Sequence, residues 1–321
     1  MESLISIVMP CKNAASFLRE CLNSVITQGW SNWELIIIDD SSTDDSLKIL
    51  NEYATSDKRI SVHENKGNGI IPALEMAYSL AKGEWIHRMD ADDIMPPSKL
   101  ECLFFLLDQR KDAVATGKVQ YFSDTAISEG YQRYQNWLNG LTTHQEMSKN
   151  RYRECVVASP NWLIHRSCFE SHIKIKELNY PEDFDMTLKW FKFGYEILKT
   201  DEVTHLWREH AYRTSRTSMD YQQAAFFRMK VDHWVDDKFD SNAKVFVIGN
   251  NQKSKLTTRF LRERGVPFEN IKFEGNELVL DVSHNQKYIL CNWPVKKDIQ
   301  EEILDFLDAN GLKFGENIWL F

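Results

Sequence analysis

The chain opens with a regular alternation of apolar runs and helical spacings. Ile5-Ser6-Ile7-Val8-Met9 is a β-rich run stopped by Pro10. Leu18, Leu22, Val25 and Ile26 then recur on one helix face. Leu35-Ile36-Ile37-Ile38 is uninterrupted, as expected of a strand buried on both faces. Leu47, Ile49, Leu50 and Tyr53 predict the next helix, and Ile60-Ser61-Val62 a weaker strand. Leu74, Ala77, Tyr78 and Ala81 predict a third helix, and Trp85-Ile86-His87-Arg88-Met89 a fourth strand. A βαβαβαβ order predicts a mostly parallel sheet with helices on both faces, and ligands beyond the carboxyl ends of its strands.

Residues 110–200 are less regular, with an aromatic stretch (Tyr121, Phe122, Tyr131, Tyr134, Trp137) and a helix from about Phe184 to Phe193. Residues 221–240 read as a helical connector. A second α/β pattern follows: Val245-Phe246-Val247-Ile248-Gly249, a helix near 253–264, then Leu278-Val279-Leu280 and Tyr288-Ile289-Leu290. The expected division is 1–220, 221–240 and 241–321. No repeat or low-complexity tract interrupts it.

The chain has 321 residues, enough for about two domains, and 43% are hydrophobic, as in globular proteins. A net charge of −8, from 39 basic and 47 acidic side chains, lacks the basic footprint of a general nucleic-acid binder. No apolar run approaches the roughly 18 residues of a membrane span. The start carries neither a basic n-region nor a long apolar h-region, so no signal peptide is expected. The six cysteines form no C-x-x-C pair and read as reduced thiols of a cytoplasmic protein.

Three strings could carry chemistry. The second strand ends in Asp39-Asp40 and the fourth in Asp90-Ala91-Asp92-Asp93. Carboxylates at neighbouring strand tips repel unless a positive charge sits between them. Hard oxygen ligands suit Mg²⁺ or Mn²⁺, which share phosphate oxygens with a ligand; a D-x-D string can equally cap a helix. Glu182-Asp183 sits at a predicted helix start, where a carboxylate is either a cap or a general base. From His205 to Ser218 run three arginines after Trp207, two histidines and several hydroxyls. Such groups match phosphate oxygens and a metal, or form a solvated basic face.

Taken in order, these pieces resemble the family 2 glycosyltransferases, which have the GT-A fold. The resemblance runs over residues 4 to about 218: Ile5 to Asn13, Ile37 to Asp44, Asn65-Lys66-Gly67, Gly83-Glu84-Trp85-Ile86 leading to Asp90-Ala91-Asp92-Asp93, Pro181 to Asp185, then the Arg/His string. It implies inverting, single-displacement transfer of a sugar from a nucleotide diphosphate donor, most often UDP-linked, to a saccharide or lipid-linked saccharide. By likeness, Pro10, Asp39, Asp40, Lys66 and Asp90 would line the nucleotide pocket, with Asp40 the expected uracil contact. Asp92 and His210 would hold Mn²⁺ or Mg²⁺, with His205 as a second candidate. Arg213, Ser215 and Arg216 would contact the diphosphate, and Asp183 would be the base. Trp137, Trp162 and Glu182 are expected on the acceptor side.

The chain departs from the family pattern at three places. Lys12 stands where an aromatic residue is common, Ser41 where Gly is usual, and Leu74 where an Arg often follows, with Lys66 or Arg88 as substitutes. The stretch from Trp207 to Ser218 resembles an N-acetylglucosaminyltransferase-like branch. The C-terminal piece lacks G-x-G-x-x-G and reads as a small Rossmann-like accessory domain. A sugar-1-phosphate nucleotidyltransferase would carry a Gly-rich loop after the first strand, where this chain has Pro10 to Ala15. A glycoside hydrolase would not need the Arg/His string, and a non-catalytic binding subunit would be favoured only by loss of the acidic residues. A surface-polysaccharide acceptor on a lipid carrier would bring the chain to the inner membrane surface.

Overall fold

The computed structural model describes residues 2–171, 181–211, 213, 223–249, 251–271, 273–274, 277–278, 287–292, 304–305, 307–309 and 311–321. They form two compact units, one of residues 1–144 and 157–217, the other of 145–156 and 218–321.

The first unit alternates β1 (Ile5–Cys11), α1 (Ala15–Ile26), β2 (Trp33–Asp39), α2 (Ser46–Ser56), β3 (Ile60–Glu64), α3 (Ile70–Leu80), β4 (Trp85–Arg88) and α4 (Lys99–Leu107). Then come β5 (Ala113–Phe122) and α5 (Glu129–Gly140), next α6 (His144–Asn150), which from residue 145 belongs to the second unit, and again in the first unit β6 (Trp162–His165), α7 (Ser167–Ser171), α8 (Glu182–Lys192) and β7 (Glu196–Arg208). The sheet order is β3-β2-β1-β4-β6-β5-β7. Its first four strands are parallel, and β6 runs antiparallel between β4 and β5. This is the α/β, mostly parallel GT-A architecture. The apolar runs of β1 and β2 lie side by side in it, and Leu18, Cys21, Leu22 and Val25 of α1 share their buried cluster.

The irregular middle of the sequence supplies β5 and β7, whose long pairing is broken at Gly117. A Cβ there would come within 2.3 Å of Thr204 Oγ1, so only glycine lets the strands approach. Past the end of β6, the free edge of β5 is closed by amides of α5. Asn139 Oδ1 accepts from Val119 N (2.9 Å) and Gln135 Oε1 from Tyr121 N (2.6 Å).

In the second unit, four parallel strands stand in the order Ile318–Leu320, Lys287–Cys291, Lys244–Ile248, Glu269–Ile271. Of the expected strand at 278–280, Leu278 lies in the strand Glu277–Leu278, which pairs antiparallel with Phe273–Glu274, and residues 279–280 lie outside the described residues. The helix Gln223–Lys238 packs within this unit instead of standing apart as a connector. The segment 145–156 also belongs here, which contiguous sequence boundaries could not express. Arg151 pairs with Asp237 (3.1 Å), Lys230 donates to the Arg153 carbonyl (2.7 Å), and Tyr152 packs on Trp319 and Phe321.

Candidate active site

The tips of β1, β2 and β4, the start of α8 and the end of β7 carry the chemistry-bearing side chains. At β2, Asp39 and Asp40 are both buried but differ in occupancy. Asp40 Oδ1 accepts from Asn65 Nδ2 (2.6 Å) and Gly69 N (3.0 Å), and Oδ2 from Lys12 Nζ (2.8 Å). Burial alone would raise the Asp40 carboxyl; Lys12, the Gly69 N–H and Asn65 outweigh it and hold the group below its ordinary value. Gly69 can aim its N–H this way because it has φ +94° and ψ 175°, a region essentially reserved for glycine. Asp39 Oδ2 accepts from Ser42 N (3.1 Å), whereas its buried Oδ1 has no partner. Among the described residues the unpartnered acceptor of this pair is therefore on Asp39, while Asp40, the expected base contact, already accepts three hydrogen bonds. Its partners come from the segment after β1 and from the β3–α3 loop.

Pro10 is half-buried in register with Ile38, and Lys66 is exposed on the β3–α3 loop. Leu74 is buried in α3, so that position contributes packing and no charge.

At β4, Arg88 is the hub. Its Nε donates to Asp90 Oδ1 (2.9 Å) and its Nη1 to Glu182 Oε1 (2.9 Å), tying the end of β4 to the start of α8. Arg88 and Glu182 are nearly inaccessible, at 3% exposure each. Arg88 is thus no substitute nucleotide contact, and Glu182 faces its arginine and not an acceptor. Burial pushes Asp90 up; Arg88 opposes this, while Asp92 and Glu182 add to it. Asp183, part-exposed at the first turn of α8, accepts from Phe184 N (2.8 Å). Burial and the charge of Glu182 push its carboxyl up to about 7.

Asp92 and Asp93 part company. Asp92 Oδ2 lies 2.8 Å from His210 Nε2, at the part-exposed end of β7. Asp93 turns inward, with Oδ2 2.9 Å from His205 Nε2 and Oδ1 accepting from Arg208 N (2.8 Å). His205 Nδ1 faces Lys99 Nζ at 3.1 Å, and that ammonium donates to the Pro160 carbonyl (2.7 Å). Burial pushes Asp93 well up, His205 well down and Lys99 down to about 7. With Nε2 as donor to the Asp93 carboxylate and Nδ1 as acceptor from the Lys99 ammonium, the trio buries no net charge. His205 is fully buried with both ring nitrogens engaged, which removes it as a metal candidate and leaves His210.

Two ligands about 2.1 Å from one ion and roughly at right angles lie about 3 Å apart, so the 2.8 Å between Asp92 and His210 suits a shared Mg²⁺ or Mn²⁺. Among the described residues no group of three or more His, Cys, Asp or Glu side chains could hold a metal ion. A cation here would complete its shell with water and ligand phosphate, as Mg²⁺ commonly does.

Arg213 lies over the Trp207 ring (5.0 Å) and pairs with Glu209 (3.1 Å). Ser215 and Arg216 lie outside the described residues. Trp207 stacks on Tyr121 (5.0 Å), and Tyr134 bridges it to Trp137. Trp137 is half-buried, whereas Trp162 is 0% exposed between Trp190 and Phe169 and can present no face to an acceptor. All four residues of β6 are buried, so both of its faces are covered and Trp162 goes to packing. A cavity of about 360 Å³ opens beside Tyr121, Gln132 and Gln135, away from the Asp92–His210 pair.

Lys12, Asn65, Arg88, Lys99 and Asp93 were not assigned these roles from sequence. One signal was available: Lys99 shares the apolar phase of α4 with Leu103 and Leu107, a poor place for a charge without a buried partner.

The family model described as Glycosyl transferase family 2 matches residues 6–173, more than half of the chain. A putative colanic acid biosynthesis glycosyl transferase, WcaA of Escherichia coli, is 27% identical over 269 residues, covering 80% of this chain and 91% of its own. Of three further curated relatives the chain spans 42%, 67% and 25% of their length. Among solved structures, S. aureus TarS 1–349 in complex with UDP-GlcNAc aligns with TM-score 0.58 at 16% identity, over 80% of this chain and 71% of that one. The mannosyltransferase PcManGT of Pyrobaculum calidifontis, in complex with GDP-Man and Mn²⁺, aligns with TM-score 0.55 at 16% identity, over 81% and 70%. These two are likenesses of fold. No described helix is long and apolar enough to cross a membrane. With the family model matched across the β1–β6 framework that carries the acidic strand tips, this chain belongs to glycosyl transferase family 2.

Proposed function

We propose that the chain is a metal-dependent, inverting glycosyltransferase that moves a sugar from a nucleotide diphosphate, UDP first among the candidates, to a saccharide hydroxyl. The observation that carries this reading is the Arg88 hub. It ties the β4 tip, two residues before Asp92 and its partner His210, to the α8 start that holds Asp183. Donor activation and acceptor deprotonation need such a neighbourhood.

In this mechanism the buried open oxygen of Asp39 accepts an N–H of the base, and Pro10 shapes the same pocket. Asp92 and His210 hold Mn²⁺ or Mg²⁺, which when bound neutralises charge on the departing diphosphate. Arg213, Ser215, Arg216 and Lys66 are the proposed diphosphate contacts, with Asp90 toward the ribose. Asp183 takes the proton of the attacking hydroxyl. A carboxyl poised near neutrality suits that task, because the best general base titrates near the working pH. One base opposite the leaving group gives inversion without a sugar-enzyme intermediate.

Trp137 and its aromatic neighbours are proposed for the acceptor side. By likeness to the colanic acid relative, the acceptor is a growing surface polysaccharide, lipid-linked in the fuller reading, which implies peripheral membrane contact. The N-acetylglucosamine donor draws support from the TarS complex. The nucleotidyltransferase alternative is not favoured, since Pro10-Cys11-Lys12 has no glycine to cradle phosphates.

The test is calorimetric titration with UDP and GDP, with and without Mn²⁺, followed by transfer assays with lipid-linked and soluble saccharides. Metal-strengthened UDP binding that is lost in Asp92→Ala supports the reading. Binding of neither nucleotide, or full turnover in Asp183→Asn, refutes it.

A further inference from the structure

We propose that Asp93, His205 and Lys99 form a positioning network that holds Asp92 and His210 in register for one divalent cation. It rests on the cation reading of that pair and adds to it the device that keeps the pair together.

The loop after β4 and the end of β7 are distant in sequence, yet they are joined on both sides of the proposed ligands. Ile94 and Leu206 exchange backbone hydrogen bonds at 3.1 and 3.0 Å. Arg208 Nε donates to the Asp92 carbonyl (2.7 Å), and Arg208 N donates to Asp93 Oδ1 (2.8 Å). Asp93 neighbours Asp92 but faces the opposite way, with both oxygens engaged on β7 and 1% exposure. It therefore cannot touch cation or substrate. His205 lies five residues before His210 and receives Asp93 on one nitrogen and Lys99 on the other. Lys99 extends the chain to the Pro160 carbonyl, just before β6.

An apolar trio could fill this space without desolvating three ionisable groups, and buried pairs commonly add little stability over apolar packing. What the polar trio supplies is direction. Each hydrogen bond fixes the rotation of the β4–α4 loop against β7. A slip there would part Asp92 from His210. Residues that orient metal ligands from behind commonly govern affinity by about 10–100-fold.

The experiment uses the full chain. Mn²⁺ uptake in the presence of UDP is read from the loss of the free Mn²⁺ electron paramagnetic resonance signal. UDP binding in metal-free buffer and thermal melting are read alongside. Asp93→Asn is expected to weaken Mn²⁺ about 10–100-fold while metal-free UDP affinity stays at the wild-type value. A role in folding alone would lower both together. His205→Gln keeps a donor at the Nε2 position and His205→Asn does not, so Gln is expected to retain Mn²⁺ affinity and Asn to lose it. This pair decides the matter if Asp93→Asn fails to fold. Folded Asp93→Asn with wild-type Mn²⁺ affinity, or equal affinities in the two His205 variants, overturns the network alone. Wild-type protein that takes up no Mn²⁺, or uptake untouched by Asp92→Ala, overturns the cation reading and the network with it.

Discussion

Asp183 begins α8 where burial and the neighbouring Glu182 charge both resist its ionisation, which sets its carboxyl near 7. As the proposed base it would act only when deprotonated, so kcat/KM is expected to rise with pH and level off above about 7. Asp183→Asn should abolish that limb and lower kcat by about 10²–10⁴-fold; a pH–rate series on both proteins checks it. Lys12 offers a contrast. It is 51% exposed, so its ion pair with Asp40 is screened by water, and Lys12→Ala should cost no more than about 1 kcal/mol in a urea titration. The same change frees an Asp40 oxygen, so it should alter nucleotide affinity more than stability. Trp162 lies at the opposite extreme. Trp162→Ala removes a fully buried ring and is expected to cost about 3–5 kcal/mol, read as a lower denaturant midpoint.

At the scale of elements, short connections decide which groups remain available. The β3–α3 loop turns at Gly69, and a Cβ there meets no atom within 4 Å, so Gly69→Ala would be penalised by backbone strain and not by a clash. The expected cost is about 1–3 kcal/mol. Because the Gly69 N–H also holds Asp40, UDP affinity should fall with it, and calorimetry on the folded variant checks this second effect. The α8 start works in a similar way. Its first turn carries Glu182, Asp183 and Asp185. Position on the helix alone allows all three as caps. Pairing with Arg88 takes Glu182 into the interior, and Lys189 takes Asp185 at 2.5 Å. Asp183 pairs with neither Arg88 nor Lys189 and stays part-exposed, as the proposed base role needs.

At the scale of the whole molecule, the chain passes from the first unit into the second at 145–156, returns, and leaves again at 218. A truncation after residue 220 would keep the 145–156 segment but remove what it packs on. Met147, Tyr152 and Val156, each no more than 1% exposed, would lose their surroundings, and Arg151 would lose Asp237. Such a fragment is expected to bind a hydrophobic dye and aggregate where the full chain does not, as dye fluorescence and light scattering would show.

The alternation of apolar runs was enough to predict the parallel β1–β4 framework, because strands buried on both faces must be apolar throughout and the helices between them must be amphipathic. The acidic ends of β2 and β4 and the α8 start fall where the pattern put them, whereas much of the Arg/His string lies outside the described residues. Tertiary structure decided which partners each member of a pair meets. Asp39 keeps an open oxygen because Asp40 is filled from Lys12, Asn65 and Gly69. His210 remains beside Asp92 because His205 is sealed between Asp93 and Lys99. Adjacent residues of the same type look alike in a string of letters. They differ only through partners brought from far along the chain, and those partners exist only once the sheet has assembled.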